Sequence, residues 1–325
     1  MKKLGCMLMA VLMAVAVSGC SDKKEASENK ETEKKVTLIL DYLPNTNHTG
    51  FYVAKEKGFF KEEGLDVDII EPGDDSTSAT LVAANKGEFG VSYQEDVTYA
   101  RTAEEPLPIR AIATIIQHNT SGFVSLKKEN IKSPKDFEGK VYAGWQAPSE
   151  EAVVKAVMTA AKADFSKLTM VGADGSGFAS LGKSVDIQWE FEGWAVTKGR
   201  MEGYDLKYIP LRELDERLDY YTPVIITSEK MIKEDPETVQ KFMNAVKKGY
   251  EYAIENPDAT AEILSKYAPD YDLKFLKESQ KYLSSEYARD ADSWGVMKDS
   301  VWDNYTAFMY ENKLITEKIK ADEQY

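Results

Sequence analysis

Asp41-Tyr42-Leu43-Pro44-Asn45-Thr46-Asn47-His48 places a carboxylate, a phenol, two carboxamides and an imidazole within one short stretch. That set suits recognition of a small molecule. A carboxylate accepts N–H donors, a ring stacks on a flat ligand, and amides and imidazole offer both donors and acceptors. Groups of the same kinds recur at Tyr93, Gln94, Ser149, Trp189, Glu190 and Trp194. Asp41 is the first candidate acceptor and Glu190 the second. Tyr42, Tyr93, Trp189 and Trp194 are candidates for the faces of a ring, and Asn45, Asn47, His48, Gln94 and Ser149 for its polar edge. Each also has a plainer use. Asp41 could cap the helix beginning near Asn47, the asparagines could satisfy turn backbone, His48 could be a hydrogen-bonding strut, and tryptophans commonly pack. Trp189 and Glu190 are neighbours on a strand and point to opposite faces, and Glu192 competes with Glu190 for the same role.

Groups that make and break bonds are scarce. The only cysteines are Cys6 and Cys20, so residues 21–325 offer no thiol for a disulfide, a thiolate metal site or a nucleophile. The two histidines, His48 and His118, form no HExxH pattern, and no GxSxG elbow is present. Gly175-Ser176-Gly177 reads as a turn, since Gly-X-Gly alone is a weak phosphate signal. No catalytic residue, metal or cofactor is expected. Asp and Glu outnumber Lys and Arg by 55 to 41, for a net charge of −14, which disfavours nucleic acid as a partner.

The elements that must position these residues alternate. Apolar or alternating runs at 36–40, 65–71, 89–93, 109–117, 122–126, 141–143, 168–171, 185–189 and 224–227 read as strands. Amphipathic or capped runs at 51–57, 76–86, 133–140, 152–162, 236–256, 258–267, 273–284 and 296–312 read as helices. Strand–helix alternation implies an α/β fold with parallel pairing. The simplest arrangement has two lobes with the chain crossing twice: 36–118 and 223–325 form lobe 1, and 119–222 is inserted as lobe 2. Polar loops after the strands, at 41–48, 93–95, 117–120, 144–150 and 189–194, would then face one interlobe cleft.

At the amino end, Lys2 and Lys3 precede an apolar run from Met7 to Val17, which leads into Val17-Ser18-Gly19-Cys20. The run is too short for a permanent span and reads as a signal peptide over 1–19. The tetrapeptide resembles the lipobox of bacterial lipoproteins, which implies lipid on Cys20 and attachment at the extracytoplasmic face of the cell membrane. Residues 20–35 are polar and read as a flexible tether.

The stretch from Leu40 to Ala54 resembles the leading motif of bacterial solute-binding proteins related to the fungal thiamine-pyrimidine synthases. Lys57-Gly58-Phe59-Phe60-Lys61-Glu62-Glu63-Gly64-Leu65 is similar to a wider set that includes nitrate, sulfonate and taurine binders. Ser92-Tyr93-Gln94-Glu95 and Tyr221-Thr222-Pro223 extend the likeness, which runs over nearly all of 36–315. The resemblance implies a two-lobed fold of the type II periplasmic-binding-protein kind. It also implies an aminopyrimidine thiamine precursor (a formylaminopyrimidine) as ligand, and an ABC permease with its ATPase as partners. On that ligand a carboxylate would meet the exocyclic amine or a protonated ring nitrogen. The related synthases use pyridoxal phosphate, a histidine and a cysteine-rich iron motif, and this chain lacks the cysteines. A same-fold receptor for a sulfonate, nitrate or riboflavin-like ring is the other reading. An oxyanion site would call for arginine or a helix N-terminus, whereas the leading loop offers Asp, Tyr, Asn and His. Hinge motion is expected at the crossings near 118–121 and 221–225.

The lipid expectation has a direct test. Cys20→Ser should abolish palmitate labelling and move the protein from the membrane fraction to the soluble one. A variant that stays membrane-bound would remove the anchor.

Overall fold

The computed structural model describes residues 33–73 and 76–325. The signal peptide, Cys20 and residues 20–32 of the expected tether lie outside the described residues. Strands β1 (Lys34–Ile39), β2 (Leu65–Ile70), β3 (Phe89–Ser92) and β4 (Ile109–Thr114) alternate with helices α1 (Thr49–Glu56), α2 (Phe59–Glu62), α3 (Ser78–Ala83) and α4 (Gln94–Thr102). Next come β5 (Ser121–Leu126), β6 (Val141–Gly144), α5 (Pro148–Ala160), β7 (Thr169–Gly172), β8 (Ile187–Phe191), α6 (Thr197–Met201) and β9 (Leu206–Pro210). The chain returns through β10 (Val224–Ser228). It finishes in α7 (Glu229–Glu234), α8 (Pro236–Glu255), α9 (Pro257–Leu264), α10 (Leu273–Ser284) and α11 (Asp299–Glu311).

Two five-stranded sheets result, ordered β2-β1-β3-β10-β4 and β7-β6-β8-β5-β9. Both are mixed, where the sequence pattern implied parallel pairing. β10 runs antiparallel to β3 and β4, and β5 runs antiparallel to β8 and β9. The reason is topological: each of these strands follows a crossing between the sheets, so it enters its sheet without a helical return over the face. β1 also starts earlier than expected. Lys34 and Lys35 pair with Leu65 and Asp66, so these two residues of the expected tether belong to the sheet. The 133–140 helix is a short 3-10 turn at Pro134–Phe137, and β9 is a strand that the sequence pattern did not announce.

The parallel pair β1/β3 sets the geometry that matters. Leu38 and Ile39 stand opposite Phe89 and Gly90, so Asp41 and Tyr93, just past the two strand ends, emerge at one sheet edge. Behind that edge lies α8, begun by Asp235 as N-cap and Pro236 at the first helical position. Its buried face (Phe242, Ala245, Val246, Gly249, Tyr250, Ala253) follows the spacing of one helical stripe. Burying each such aromatic contributes about 1.5–3 kcal/mol. Helix α11 departs from the expected division: Tyr305, Phe308 and Met309 pack into the core beneath the second sheet with Phe123, Tyr142 and Val153. No described helix is long and apolar enough to cross a membrane.

Helices α1 and α8 touch backbone to backbone. A Cβ on Gly249 would stand 2.0 Å from the Gly50 carbonyl oxygen, and one on Gly50 would enter the Tyr250 ring. Gly249→Ala should therefore force the helices apart and cost on the order of 1–3 kcal/mol in denaturant-unfolding free energy. An unchanged unfolding midpoint would refute this packing.

Candidate ligand-binding cavity

The turn after β1 is organised by its own side chains. Asn45 caps the short helix Thr46–His48, its side chain accepting from the Asn47 N–H at 2.9 Å. The Asn45 N–H in return donates to His48 Nδ1 at 3.3 Å. Since Nδ1 accepts, the ring proton is assigned to Nε2, which donates to Asp41 Oδ1 at 2.6 Å. The His48 side chain is wholly buried and that of Asp41 is 7% exposed. Burial alone would push the Asp41 carboxyl up. The adjacent imidazole, its hydrogen bond and a further one from Tyr93 outweigh burial and hold Asp41 below the usual carboxylate range. Tyr93 is driven the other way, by burial and by the Asp41 charge, and remains a protonated donor. The product is a fixed anionic acceptor at the sheet edge.

Distant elements hold the turn in place. Tyr250 donates to the Asn47 carbonyl at 2.6 Å, and Tyr287 donates to that of Thr46. The Thr46 hydroxyl lies 2.6 Å from that of Ser279 on α10, and Ser279 donates to the Gly193 carbonyl in the turn after β8. One serine thus ties the Asp41 loop to the second sheet.

Between these loops is a cavity of about 230 Å3. Asp41, Tyr42, Asn45, Asn47, Tyr93 and Trp194 line it, as do Thr46, Thr120, Phe191, Gly193, Thr222, Pro223 and Leu283. Ordinary ligand pockets run to roughly 300–1,000 Å3, so this one suits a single small ring. Its aromatic walls are available: Tyr42 is 59% and Phe191 40% exposed. Trp194 is braced edge-on by Tyr271 and Phe275, with ring centroids 4.9 and 4.7 Å away. Among the described residues lining the cavity, none is lysine or arginine.

Five of the candidate residues do not line this cavity. His48 is behind Asp41 as a strut, because both its ring nitrogens are used internally. Gln94 is buried, donating to the Val301 carbonyl at 3.1 Å and accepting from the Tyr221 N–H at 2.8 Å. Ser149 donates to Glu95 on α4 at 2.9 Å. Trp189 packs in the core beneath the second sheet, edge-on to Phe123. Glu190 opens on other cavities, on the opposite side of β8 from that core. Phe191, at the very end of β8, reaches the cavity in their stead. Glu192 is held by Arg200 at 3.1 Å and by Tyr282. Phe191, Thr120, Thr222 and Pro223 line the cavity without being singled out by the sequence, although the loops at 117–120 and 189–194 are expected to face a cleft. Gly175-Ser176-Gly177 is a turn, with the Ser176 N–H donating to Asp174 at 2.9 Å.

The fold is shared with the alkanesulfonate-binding protein SsuA from Xanthomonas axonopodis pv. citri, with a TM-score of 0.67, 11% identity and coverage of 90% of this chain and 98% of that one. In sequence, the chain is 27% identical over 281 residues to a formylaminopyrimidine-binding protein of Halalkalibacterium halodurans, covering 84% of this chain and 82% of the relative. It is 25% identical over 242 residues to a 4-amino-5-hydroxymethyl-2-methylpyrimidine phosphate synthase of Saccharomyces cerevisiae, covering 69% and 68%. The family model described as NMT1/THI5 like matches residues 45–260. A chain with two mixed sheets, an Asp41–His48 pair at the edge of the first and this family's sequence pattern across its centre belongs to the NMT1/THI5-like family.

Proposed function

We propose that this chain is the extracytoplasmic solute receptor of an ABC importer, and that its solute is a formylaminopyrimidine thiamine precursor. The observation that carries the reading is the fixed Asp41 anion set among exposed aromatic faces. A neutral, flat aminopyrimidine brings an exocyclic N–H donor for the carboxylate and a ring for Tyr42, Phe191 and Trp194 to stack on. Sulfonate or nitrate would meet the Asp41 carboxylate there, with no lining lysine or arginine to pair with. The bacterial relative of 27% identity, named for binding formylaminopyrimidine, supports the same ligand. The yeast synthase relationship leaves enzyme chemistry as the rival. Receptor function is favoured because the cavity lining offers rings, hydroxyls, amides and one carboxylate, with no cysteine, lysine or histidine to bond to a substrate.

In this reading the two sheets are the cores of two lobes, divided near 119 and 222, that close on the ligand about the crossings. The crossings are already laced together: His118 Nδ1 lies 2.6 Å from Asp219, and the Asn119 N–H donates to the same carboxylate at 2.8 Å. They would bend as one hinge, and closure would be favoured by contacts made only when both lobes engage. The closed receptor would then deliver its solute to the permease and its ATPase, held at the membrane through Cys20.

Calorimetric titration with formylaminopyrimidine, its deformylated hydroxymethyl analogue, thiamine and taurine tests the ligand. Saturable binding of the pyrimidines and none of taurine is expected; the reverse order would sink the assignment. Asp41→Asn should weaken pyrimidine binding by about 1–3 kcal/mol, since the charged acceptor is lost. The pH profile offers a second check. With Asp41 held low, affinity should stay level from about pH 8 to about pH 5 and decline only in more acid solution. A decline centred near neutrality would assign the acceptor role to another group.

A further inference from the structure

An ionised Asp41 can only accept, so it reads a donor on the solute and leaves the solute's acceptors to other groups. On a flat aminopyrimidine those acceptors are the ring nitrogens. An acceptor that enters a protein without meeting a donor loses its bond to water with no replacement. None of the described residues lining the cavity is lysine or arginine, so the donors must be neutral. Several of these are already engaged. Tyr93 bonds to Asp41, the Thr46 hydroxyl lies against that of Ser279, and the Asn45 amide donates to the Leu43 carbonyl at 3.0 Å.

Two threonines in the lining are not engaged in this way. Thr120 immediately precedes β5 and Thr222 lies two residues before β10, so each crossing between the sheets supplies one. Thr120 is fixed through its carbonyl, which accepts from the Tyr208 hydroxyl at 2.6 Å and the Glu192 N–H at 2.9 Å. Neither threonine hydroxyl has a hydrogen-bond partner among the described residues. Among those residues, the wholly enclosed side-chain atoms without a partner belong to Ser125, Gln188, Trp189 and Trp302, so both hydroxyls keep open surface. Thr120 is only 3% and Thr222 only 6% exposed, and the cavity is the space that both line. Asn47 and Tyr42 can also donate, but they belong to the same turn as Asp41.

We infer that Thr120 and Thr222 are specificity-determining residues of this site, their hydroxyls donating to the ring nitrogens of a solute whose amine is held by Asp41. The inference rests on the pyrimidine reading given above. A cavity of about 230 Å3 holds little beyond one ring, so a ring seated on Asp41 presents its remaining polar edge to the rest of the lining. A hydroxyl suits a neutral ring nitrogen because it donates without bringing a charge, and its hydrogen rotates to meet the acceptor. A benzene ring of the same shape would leave both hydroxyls unmet, and sites built on such bonds reject an isostere that lacks the partner. Since the two threonines stand on the two crossings, a ring that they hold is held at both.

Calorimetry on the full chain compares formylaminopyrimidine with N-(2-amino-4-methylbenzyl)formamide, the same molecule with C–H in place of both ring nitrogens. The parent chain should favour the pyrimidine by at least about tenfold. Thr120→Val and Thr222→Val exchange the hydroxyl for a methyl group at the same shape. Each should weaken the pyrimidine by about tenfold and leave the benzene analogue unchanged. Thr120→Ser and Thr222→Ser keep the hydroxyl and should bind the pyrimidine within about threefold of the parent. Near-UV spectra check that the variants keep native packing. Pyrimidine binding that is unchanged in both valine variants, or equal losses for the two ligands, would overturn the inference and leave the pyrimidine reading standing. So would a parent chain that binds the two rings equally, whatever the variants do. A parent chain that binds neither ring would overturn the pyrimidine reading, and this inference with it.

Discussion

A buried imidazole must have both its nitrogens met, and the cleft side of the first sheet is arranged around that requirement. His48 has no access to water, so its two partners come from the chain. One is the Asn45 N–H at the start of the same turn, and the other is Asp41 at the end of β1. These two bonds set the ring's protonation, aim the Asp41 carboxylate and keep it ionised in a place where burial alone would neutralise it. Tyr250, Ser279 and Tyr287 then clamp the turn from α8, α10 and the segment beyond α10. Much of the carboxy-terminal helical layer therefore serves as backing for one charged group. The close contact of Gly50 with Gly249 is what brings α8 near enough to do so.

Two carboxylates illustrate how neighbours, more than residue type, decide chemistry. Asp41 lies just past the end of β1 and Glu190 is the penultimate residue of β8, where it is partly buried. Asp41 has an imidazole and a phenol beside it and is held low; Glu190 has neither and is pushed up to about 7. The first is a permanent acceptor. The second is pushed toward its protonated form by burial.

The likeness to SsuA fixes the architecture but not what is bound, because fold and site chemistry vary independently. The cavity lining here combines an anionic acceptor with aromatic faces, and none of its described lining residues is lysine or arginine. The two crossings and the Ser279 bridge join the two sheets, and the cavity lining draws on elements from both.

Periodicity and punctuation in the sequence located most strands and helices, since a half-buried strand or an amphipathic helix must repeat its apolar side chains at a fixed spacing. The loop from Asp41 to His48 was also legible, because a strand end followed by polar, turn-forming residues is a local pattern. Direction of pairing was not, for β5 and β10 owe their antiparallel sense to crossings between the two sheets that no local pattern records. The same limit governs the site. Sequence could nominate His48, Gln94, Ser149, Trp189 and Glu190 by residue type, yet each is claimed by a partner or a sheet face set by distant packing. Phe191 reaches the cavity and Glu190 does not because side chains alternate along β8, and which face meets the cleft is decided only when that strand takes its place between β6 and β5.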